Sequence, residues 1–232
     1  MKMVQQLPNL LTLSNLLMGT IAILATFDHS FMLTVYLMGG CLLADILDGA
    51  LARKLGVDGP LGIQLDSLAD VVSFGVLPAL IMYHLPTNFL GSEIEKLAHL
   101  ILSALIAVSA GLRLGRFNVD TRPREYFWGL ATPAGAMMVL ALGWSVFIKN
   151  DFTDQPELLN YISWLLPVFL IISYQVALKL PGLKSPKPGL WTMIIIAALT
   201  LIGLFVIGPI SIALGIFTYV LLGIMNLLIK WY

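Results

Sequence analysis

Cysteine and charged residues are both scarce in this sequence. A single cysteine, Cys41, occurs among the 232 residues, so the chain has no pair for an internal disulfide bond and no cysteine metal cluster. Only 11% of the residues are charged, and the 13 basic residues are matched by 13 acidic ones. Nucleic-acid binding depends on an excess of positive charge. We therefore expect no nucleic-acid partner.

Long polar stretches are also missing, and apolar residues dominate instead. They make up 59% of the chain, and the mean hydropathy is +0.92. Apolar runs of about 20 residues, the length of a bilayer-spanning helix, recur throughout. They predict an all-α, polytopic membrane protein with about eight transmembrane helices, near residues 8–27, 31–55, 62–84, 96–118, 130–148, 158–178, 189–207 and 209–229. Because the connectors are short, residues 1–232 are expected to form a single transmembrane domain in contact with membrane lipids.

Basic residues are distributed unevenly between the two ends of the predicted helices. If the N-terminus lies inside, 11 of the 13 lysines and arginines fall on the inner side, and only Lys96 and Lys149 fall outside. Cytoplasmic loops of membrane proteins carry such an excess of Lys and Arg. We therefore expect both termini to be cytoplasmic, in an inner (cytoplasmic) membrane of the prokaryotic type.

Four aspartates interrupt the apolar pattern of the second and third predicted helices, at Asp45, Asp48, Asp66 and Asp70. Each ionised carboxylate at the centre of a membrane helix costs roughly 2.5–3.5 kcal/mol, so four unpartnered ones would cost on the order of 10 kcal/mol. Such a group persists only where a partner or a ligand offsets this cost. The four aspartates are therefore the candidate functional centre.

The spacing of the acids indicates how they meet. Asp45 and Asp48 are three residues apart and Asp66 and Asp70 are four apart, so each pair shares one helix face. A turn at residues 56–60 would make the two helices an antiparallel hairpin, with Asp45 at the depth of Asp70 and Asp48 at that of Asp66. The acids should then face one another at two matched depths and open toward the cytoplasm.

Divalent metal ions would neutralise this arrangement. Arg53 is the only cation that we expect nearby, and one positive charge cannot balance four carboxylates. Two divalent ions would balance them, and oxygen ligands favour Mg²⁺ or Mn²⁺. Spacing alone leaves two other interpretations open: a proton or sodium site in an ion-coupled transporter, and acids that are sealed by water and backbone groups.

Small residues lie between the acids. Gly49 and Ala52 occupy the helix face next to them, and Gly62 precedes Asp66. Small side chains leave room for a flat ligand, or for close packing of helices. Together with Arg53 and a two-metal carboxylate site, they suggest a nucleotide diphosphate, whose charge the metals would stabilise as Lewis acids.

The complete pattern D-x-x-D-G-x-x-A-R, eight residues, G-x-x-x-D-x-x-x-D resembles the signature of the CDP-alcohol phosphatidyltransferase family. Its fixed positions are all met, at Asp45, Asp48, Gly49, Ala52, Arg53, Gly62, Asp66 and Asp70. The resemblance implies that the four aspartates hold two divalent cations and that Asp70 is the general base. It implies a homodimer, and nucleotide binding by Asn9, Thr12, Asp48, Gly49, Ala52, Arg53, Gly62 and Asp66.

Other segments bear on the acceptor alcohol. LPNLLTLSNLLMG, DSLADVVSFGVLPAL, GLRLGRFNVDTR and YFWGLATPAGA resemble the phosphatidylserine synthase branch of the family, and together they cover roughly residues 7–136. The resemblance implies CDP-diacylglycerol as donor, L-serine as acceptor, and phosphatidylserine and CMP as products. Within the family the alternatives are glycerol 3-phosphate or inositol phosphate as acceptor, or an archaeal-type lipid donor. An ion-coupled transporter is the remote alternative.

The candidate acceptor-binding residues are Arg113, Arg116, Asn118 and Ser73. The two arginines lie three residues apart at the predicted cytoplasmic end of the fourth helix, where their guanidinium groups could bind a carboxylate or a phosphate. Basic residues at that end are also expected from topology alone. Similarly, Asn9 and Thr12 could form helix-cap or interhelical hydrogen bonds rather than line a nucleotide site.

Overall fold

The computed structural model describes residues 6–57, 59–85, 91–120, 126–149, 151–152, 154–181 and 187–229. Helices dominate this part of the chain. They are α1 (Leu7–Phe27), α2 (Phe31–Leu55), α3 (Pro60–His84), α4 (Glu93–Val119), α5 (Thr132–Phe147), α6 (Pro156–Gln175), α7 (Lys187–Val206) and α8 (Ile210–Ile229). Each lies within a few residues of a segment that the apolar pattern predicts, and the all-α class is confirmed.

Among the described residues, six helices are long and apolar enough to cross a membrane: α1, α2, α3, α4, α6 and Gly189–Val206 of α7. Two further apolar helices, Thr132–Phe147 and Ile210–Asn226, are shorter. The chain is therefore an integral membrane protein with several spanning helices. The count of eight spans and the cytoplasmic position of the termini stay predictions.

A left-handed glycine turns the chain from α2 toward α3. Gly56 has a φ of 62°, which glycine adopts readily because it has no Cβ. The amide of Val57 donates to the Ala52 carbonyl at 3.2 Å and the amide of Gly56 donates to the Arg53 carbonyl at 3.4 Å, so the last carbonyls of α2 are paired. Pro60 then occupies the first turn of α3, where a missing N–H costs nothing. The chain therefore turns between α2 and α3 where the sequence predicts a turn.

The first helix packs along both arms of this hairpin. A Cβ at Gly19 would collide with the Ser73 side chain of α3, and its absence lets the two helices approach closely. Farther along α1, the hydroxyl group of Thr26 lies 3.0 Å from that of Thr34 in α2, and the two form a hydrogen bond between the helices. The three helices α1, α2 and α3 therefore form the unit that carries the acids.

Directly after Asp70, α3 widens into a π-helical turn at Val71–Val76. Pro78 accounts for the distortion, because it has no N–H to donate and its ring would collide with the carbonyl four residues earlier in a regular helix. Gly75 lies within the turn and admits α4, since a Cβ there would be 3.3 Å from that of Ala110. The turn therefore sets the distance between α3 and α4 next to an acid.

The connectors that follow α4 and α6 pair in a small antiparallel sheet, β1 (Tyr126–Trp128) with β2 (Lys179–Pro181). The Tyr219 hydroxyl of α8 donates to the Pro181 carbonyl at 2.6 Å and ties the sheet to the last helix. The sheet has no signal in the sequence, because strands of three residues are too short for a pattern of alternation.

Gly135 of α5 packs against the ring of Tyr174 of α6, and an added Cβ would lie 2.8 Å from Cζ of that ring. We expect Gly135→Ala to lower the free energy of unfolding by about 1–3 kcal/mol, as overpacking does. Thermal denaturation in detergent micelles measures the change. At Gly39 of α2 nothing lies within 4 Å of the Cβ position, so the control variant Gly39→Ala should be neutral or more stable by up to about 1 kcal/mol. Equal stability of the two variants would contradict this packing.

Candidate functional site

The hairpin brings three of the four aspartates together. Carboxylate oxygens of Asp45 and Asp48 from α2 and of Asp66 from α3 all lie within 4.8 Å of one another. Asp48 is 5% exposed, and the other two are half-buried. Like charges at this separation repel strongly where little water screens them. The three carboxylates therefore form a site that favours a bound cation.

Asp70 lies one helical turn beyond Asp66 and outside this group of three. It is 6% exposed, and its Oδ1 atom has no hydrogen-bond partner among the described residues. It is nevertheless close enough to Asp45, Asp48 and Asp66 for their charges to interact, and also to Arg113 of α4. Asp70 thus lies near the other carboxylates, and one of its oxygen atoms is available to a ligand.

The donor set of this cluster suits a hard divalent ion. Carboxylate oxygens are the ligands that Mg²⁺ and Mn²⁺ prefer, and Asp45, Asp48 and Asp66 already converge from two helices. Asp70, one helical turn farther along α3, offers a further carboxylate ligand. The residues present therefore fit a divalent metal, whose identity the donor set alone does not select.

Thr12 of α1 orients one of the acids. Its hydroxyl group donates to Oδ2 of Asp48 at 2.6 Å and also lies 3.1 Å from the Pro8 carbonyl of its own helix. The side chain is 4% exposed. Thr12 therefore forms an interhelical hydrogen bond, which is one of the roles that the sequence leaves open for it. Hydrogen bonds of this kind hold metal-ligating carboxylates in place.

Two glycines of the motif lie next to the side chains of Arg53 and Asn9. Gly49 and Gly62 are half-buried, and the Nη1 atom of Arg53 lies 3.4 Å from the position of a Cβ at Gly49. Oδ1 of Asn9 is 3.4 Å from the corresponding position at Gly62. Because neither glycine has a side chain, Arg53 and Asn9 border a flat surface next to the acids. Nucleotide binding at this surface, in which Ala52 is also expected to take part, stays a prediction.

The candidate acceptor-binding residues do not form one cluster. Arg113 is 9% exposed and lies within electrostatic range of Asp70. By contrast, Arg116 donates to Oε1 of Gln175 at 2.7 Å, and Asn118 donates to the Ser67 hydroxyl at 2.7 Å. These two residues therefore hold α4 against α6 and α3 in the structure.

Ser73 is fully buried between α1 and α3, where its hydroxyl group donates to the Asn15 carbonyl at 3.3 Å. Its assignment to the acceptor site, like those of Arg113, Arg116 and Asn118, stays a prediction.

Two polar residues that sequence reasoning did not select contribute to this region. Gln175 accepts a hydrogen bond from Arg116 and donates to the Ser109 carbonyl at 2.9 Å. Asn15 is fully buried in α1, three residues beyond Thr12. An asparagine well inside an apolar helix is the signal that the sequence offers for it, because polar residues inside membrane helices are costly and tend to be functional.

The apolar helices around a carboxylate cluster define the class of protein. It is a polytopic membrane protein with a cluster of aspartates that could hold a metal ion. The model of the CDP-alcohol phosphatidyltransferase family matches residues 5–178 of this chain. This match covers most of the chain and includes all four aspartates, so the chain belongs to the CDP-alcohol phosphatidyltransferase family.

Curated relatives agree with this assignment. The chain is 30% identical over 233 residues to a CDP-diacylglycerol–serine O-phosphatidyltransferase of Helicobacter pylori, with 97% of this chain and 90% of the relative aligned. An archaetidylserine synthase of Methanothermobacter thermautotrophicus is 38% identical over 57% of this chain and 55% of its own. A CDP-diacylglycerol–serine O-phosphatidyltransferase of Mycobacterium leprae is 34% identical over 60% of this chain and 46% of its own.

If Thr12 positions Asp48 for a cation, Thr12→Val should weaken Mn²⁺ binding by roughly 10-fold to 100-fold, as the loss of a supporting hydrogen bond does at other metal sites. Titration followed by the electron paramagnetic resonance of free Mn²⁺ measures the affinity without turnover. The matched control is Thr20→Val, since that exposed hydroxyl group donates only to the Leu16 carbonyl of its own helix at 2.8 Å. Wild-type affinity in Thr12→Val would contradict this role.

Proposed function

We propose that this protein transfers a phosphatidyl group from CDP-diacylglycerol to the hydroxyl group of L-serine and releases phosphatidylserine and CMP. The observation that carries the proposal is the alignment with the Helicobacter pylori CDP-diacylglycerol–serine O-phosphatidyltransferase, which extends over 97% of the chain. Membership in the family supports the CDP-linked donor. The carboxylate cluster on α2 and α3 supports a metal-dependent reaction at the diphosphate.

Two divalent cations, Mg²⁺ or Mn²⁺, are the proposed cofactors, held by Asp45, Asp48, Asp66 and Asp70. The convergence of three of these carboxylates within 4.8 Å supports this assignment. Bound metal ions would supply Lewis-acid stabilisation for the charge on the diphosphate. The flat surface formed by Gly49, Ala52 and Gly62 would receive the cytidine nucleotide, with Arg53 and Asn9 at its border and Thr12 behind Asp48.

Asp70 is the general base in this proposal. Its buried Oδ1 atom lacks a hydrogen-bond partner among the described residues, so it is available for the proton of the acceptor hydroxyl group. As Asp70 takes this proton, the acceptor oxygen attacks the β-phosphorus of the donor. The bond from that phosphorus to the oxygen of CMP breaks, and CMP leaves. The exposed apolar faces of the helices would hold the donor's lipid chains beside the hairpin.

Serine would meet Asp70 from the side of α4. Arg113 is the best-placed candidate for the serine carboxylate, because it is buried and in electrostatic range of the base. Arg116, Asn118 and Ser73 complete the proposed acceptor site. We further propose a homodimer in an inner membrane of the prokaryotic type, with the active site facing the cytoplasm, as the distribution of basic residues favours.

A second candidate function is the same reaction with a different donor lipid. The archaetidylserine synthase that is 38% identical over 136 residues of alignment supports it. The hairpin motif concerns the CDP end of the donor and does not distinguish ester-linked from ether-linked chains. Other acceptors, such as glycerol 3-phosphate or inositol phosphate, remain compatible with the same hairpin.

A panel of acceptors and donors tests the proposed reaction. Purified protein with CDP-diacylglycerol and Mn²⁺ or Mg²⁺ should release CMP when L-serine is added, and much less with glycerol 3-phosphate or inositol phosphate. Chromatographic measurement of CMP and mass spectrometry of the lipid product follow the reaction. Preference for glycerol 3-phosphate would contradict the serine assignment, and preference for an ether-linked donor would favour the second candidate. An unchanged rate after EDTA treatment would exclude the metal requirement.

Asp70→Asn should reduce the rate of CMP release by about 100-fold or more, because general-base catalysis contributes about 10²–10⁴-fold. The control is Asp28→Asn, which alters an exposed acid in the connector between α1 and α2 and should keep the wild-type rate. Full activity of Asp70→Asn would remove this residue as the base.

A further inference from the structure

Asn15 lies inside the three-helix unit that carries the acids, and its side chain takes no part in the contacts described above. The residue is 0% exposed, and neither Oδ1 nor Nδ2 has a hydrogen-bond partner within the described part of the chain. Buried polar groups nearly always have partners, and a membrane span has no bulk water to supply one. Such an amide therefore indicates a ligand that is not part of the chain.

The backbone of Asn15 is held by both arms of the hairpin. Its carbonyl oxygen accepts hydrogen bonds from Sγ of Cys41 at 3.4 Å and from the hydroxyl group of Ser73 at 3.3 Å. Cys41 precedes Asp45 by four residues and Ser73 follows Asp70 by three, which is about one helical turn in each case. The Asn15 carbonyl thus lies about one turn beyond these two acids, on the side away from the α2–α3 turn.

The side chain of Asn15 is directed back toward the acids. In a helix the Cα–Cβ bond tilts toward the N-terminus, and the N-terminal part of α1 is where Thr12 contacts Asp48. This tilt favours a position of the amide between the Thr12–Asp48 hydrogen bond and the Asn15 carbonyl. This interval is the depth of Asp45 and Asp70 on the facing helices.

Two more buried atoms are unpartnered among the described residues, Oδ1 of Asp70 and Nε of Arg113. Asp70 and Arg113 are in electrostatic range of each other, and Asp70 is also in range of Cys41, which bonds to the Asn15 carbonyl. These interactions link residues that carry an amide on α1, a carboxylate on α3 and a guanidinium on α4. An amino acid with a side-chain hydroxyl group offers three complementary groups: an ammonium, a hydroxyl and a carboxylate.

We infer that Asn15 is a specificity-determining residue of the acceptor site, whose Oδ1 atom accepts a hydrogen bond from the ammonium group of the amino-acid acceptor. Arg113 then binds the carboxylate of the same molecule, and Asp70 receives the proton of its hydroxyl group. The inference rests on the proposed function and deepens it. It explains how the site selects an acceptor that has an ammonium group over a hydroxy acid that has none, because a site built for a hydrogen bond rejects analogues that lack it.

L-alanine and propionate test the inference without turnover. Neither has a hydroxyl group, so neither can react, and they differ only in the ammonium group. Each is measured as a competitive inhibitor against L-serine in the CMP-release assay, for the wild type and for Asn15→Leu, which keeps the side-chain volume similar. The Ki of L-alanine should rise about 10-fold or more in the variant, as expected for a lost hydrogen bond to a charged group. The Ki of propionate should change less than about twofold, since it never makes that bond.

The control variants distinguish a loss of acceptor specificity from a loss of folding or of activity. Thr20→Val, on the exposed side of α1, should leave both Ki values unchanged, and Asn15→Ala supplies the same comparison if Asn15→Leu does not fold. Equal changes of both Ki values, or no change in either, overturn the inference and leave the proposed function in place. Wild-type inhibition by propionate as strong as by L-alanine does the same. A wild type that releases no CMP with serine overturns both.

Discussion

The cost of holding four carboxylates in an apolar helix bundle is the constraint on which the rest of the structure depends. The hydrocarbon of a membrane cannot solvate these groups, so they need partners within the bundle, such as hydrogen-bond donors or a cation that the cluster could hold. Carboxylates of three aspartates within 4.8 Å of one another require α2 and α3 to meet in one register. Gly56 and Pro60 provide the turn that sets this register. Because metal binding would remove the repulsion, folding and metal affinity should be linked.

Helix α4 reaches the site because α3 is distorted. The π-helical turn at Val71–Val76 and the missing side chain at Gly75 let the helices approach at Ala110. Arg113 follows Ala110 by three residues and so lies on the same face of α4, which places it in electrostatic range of Asp70. In the proposed function, the hairpin binds the metal and the CDP group, while α1 and α4 bind the acceptor. This division explains how one hairpin motif can serve different acceptor alcohols.

The last two helices stand apart from this arrangement. The family match ends at residue 178, before α7 begins. In Gly189–Val206 of α7 only 6% of the residues are buried, so this helix presents apolar side chains on nearly every side. A fully apolar surface is stable in contact with lipid chains. The described residues that carry the proposed chemistry therefore all belong to α1, α2, α3 and α4.

The sequence by itself determined the helices, the hairpin and the identity of the acids, because these depend on the length of apolar runs and on the spacing of residues within one or two helical turns. The small sheet, the π-helical turn and the separate positions of Arg113 and Arg116 were decided by tertiary structure. Asn15 shows the difference most clearly. Its type and position were visible in the sequence, but only the packing of α1 between two helices buries its amide with no partner in the described part of the chain. Burial and orphaned hydrogen-bonding groups arise from contacts between distant segments, and local patterns do not record them.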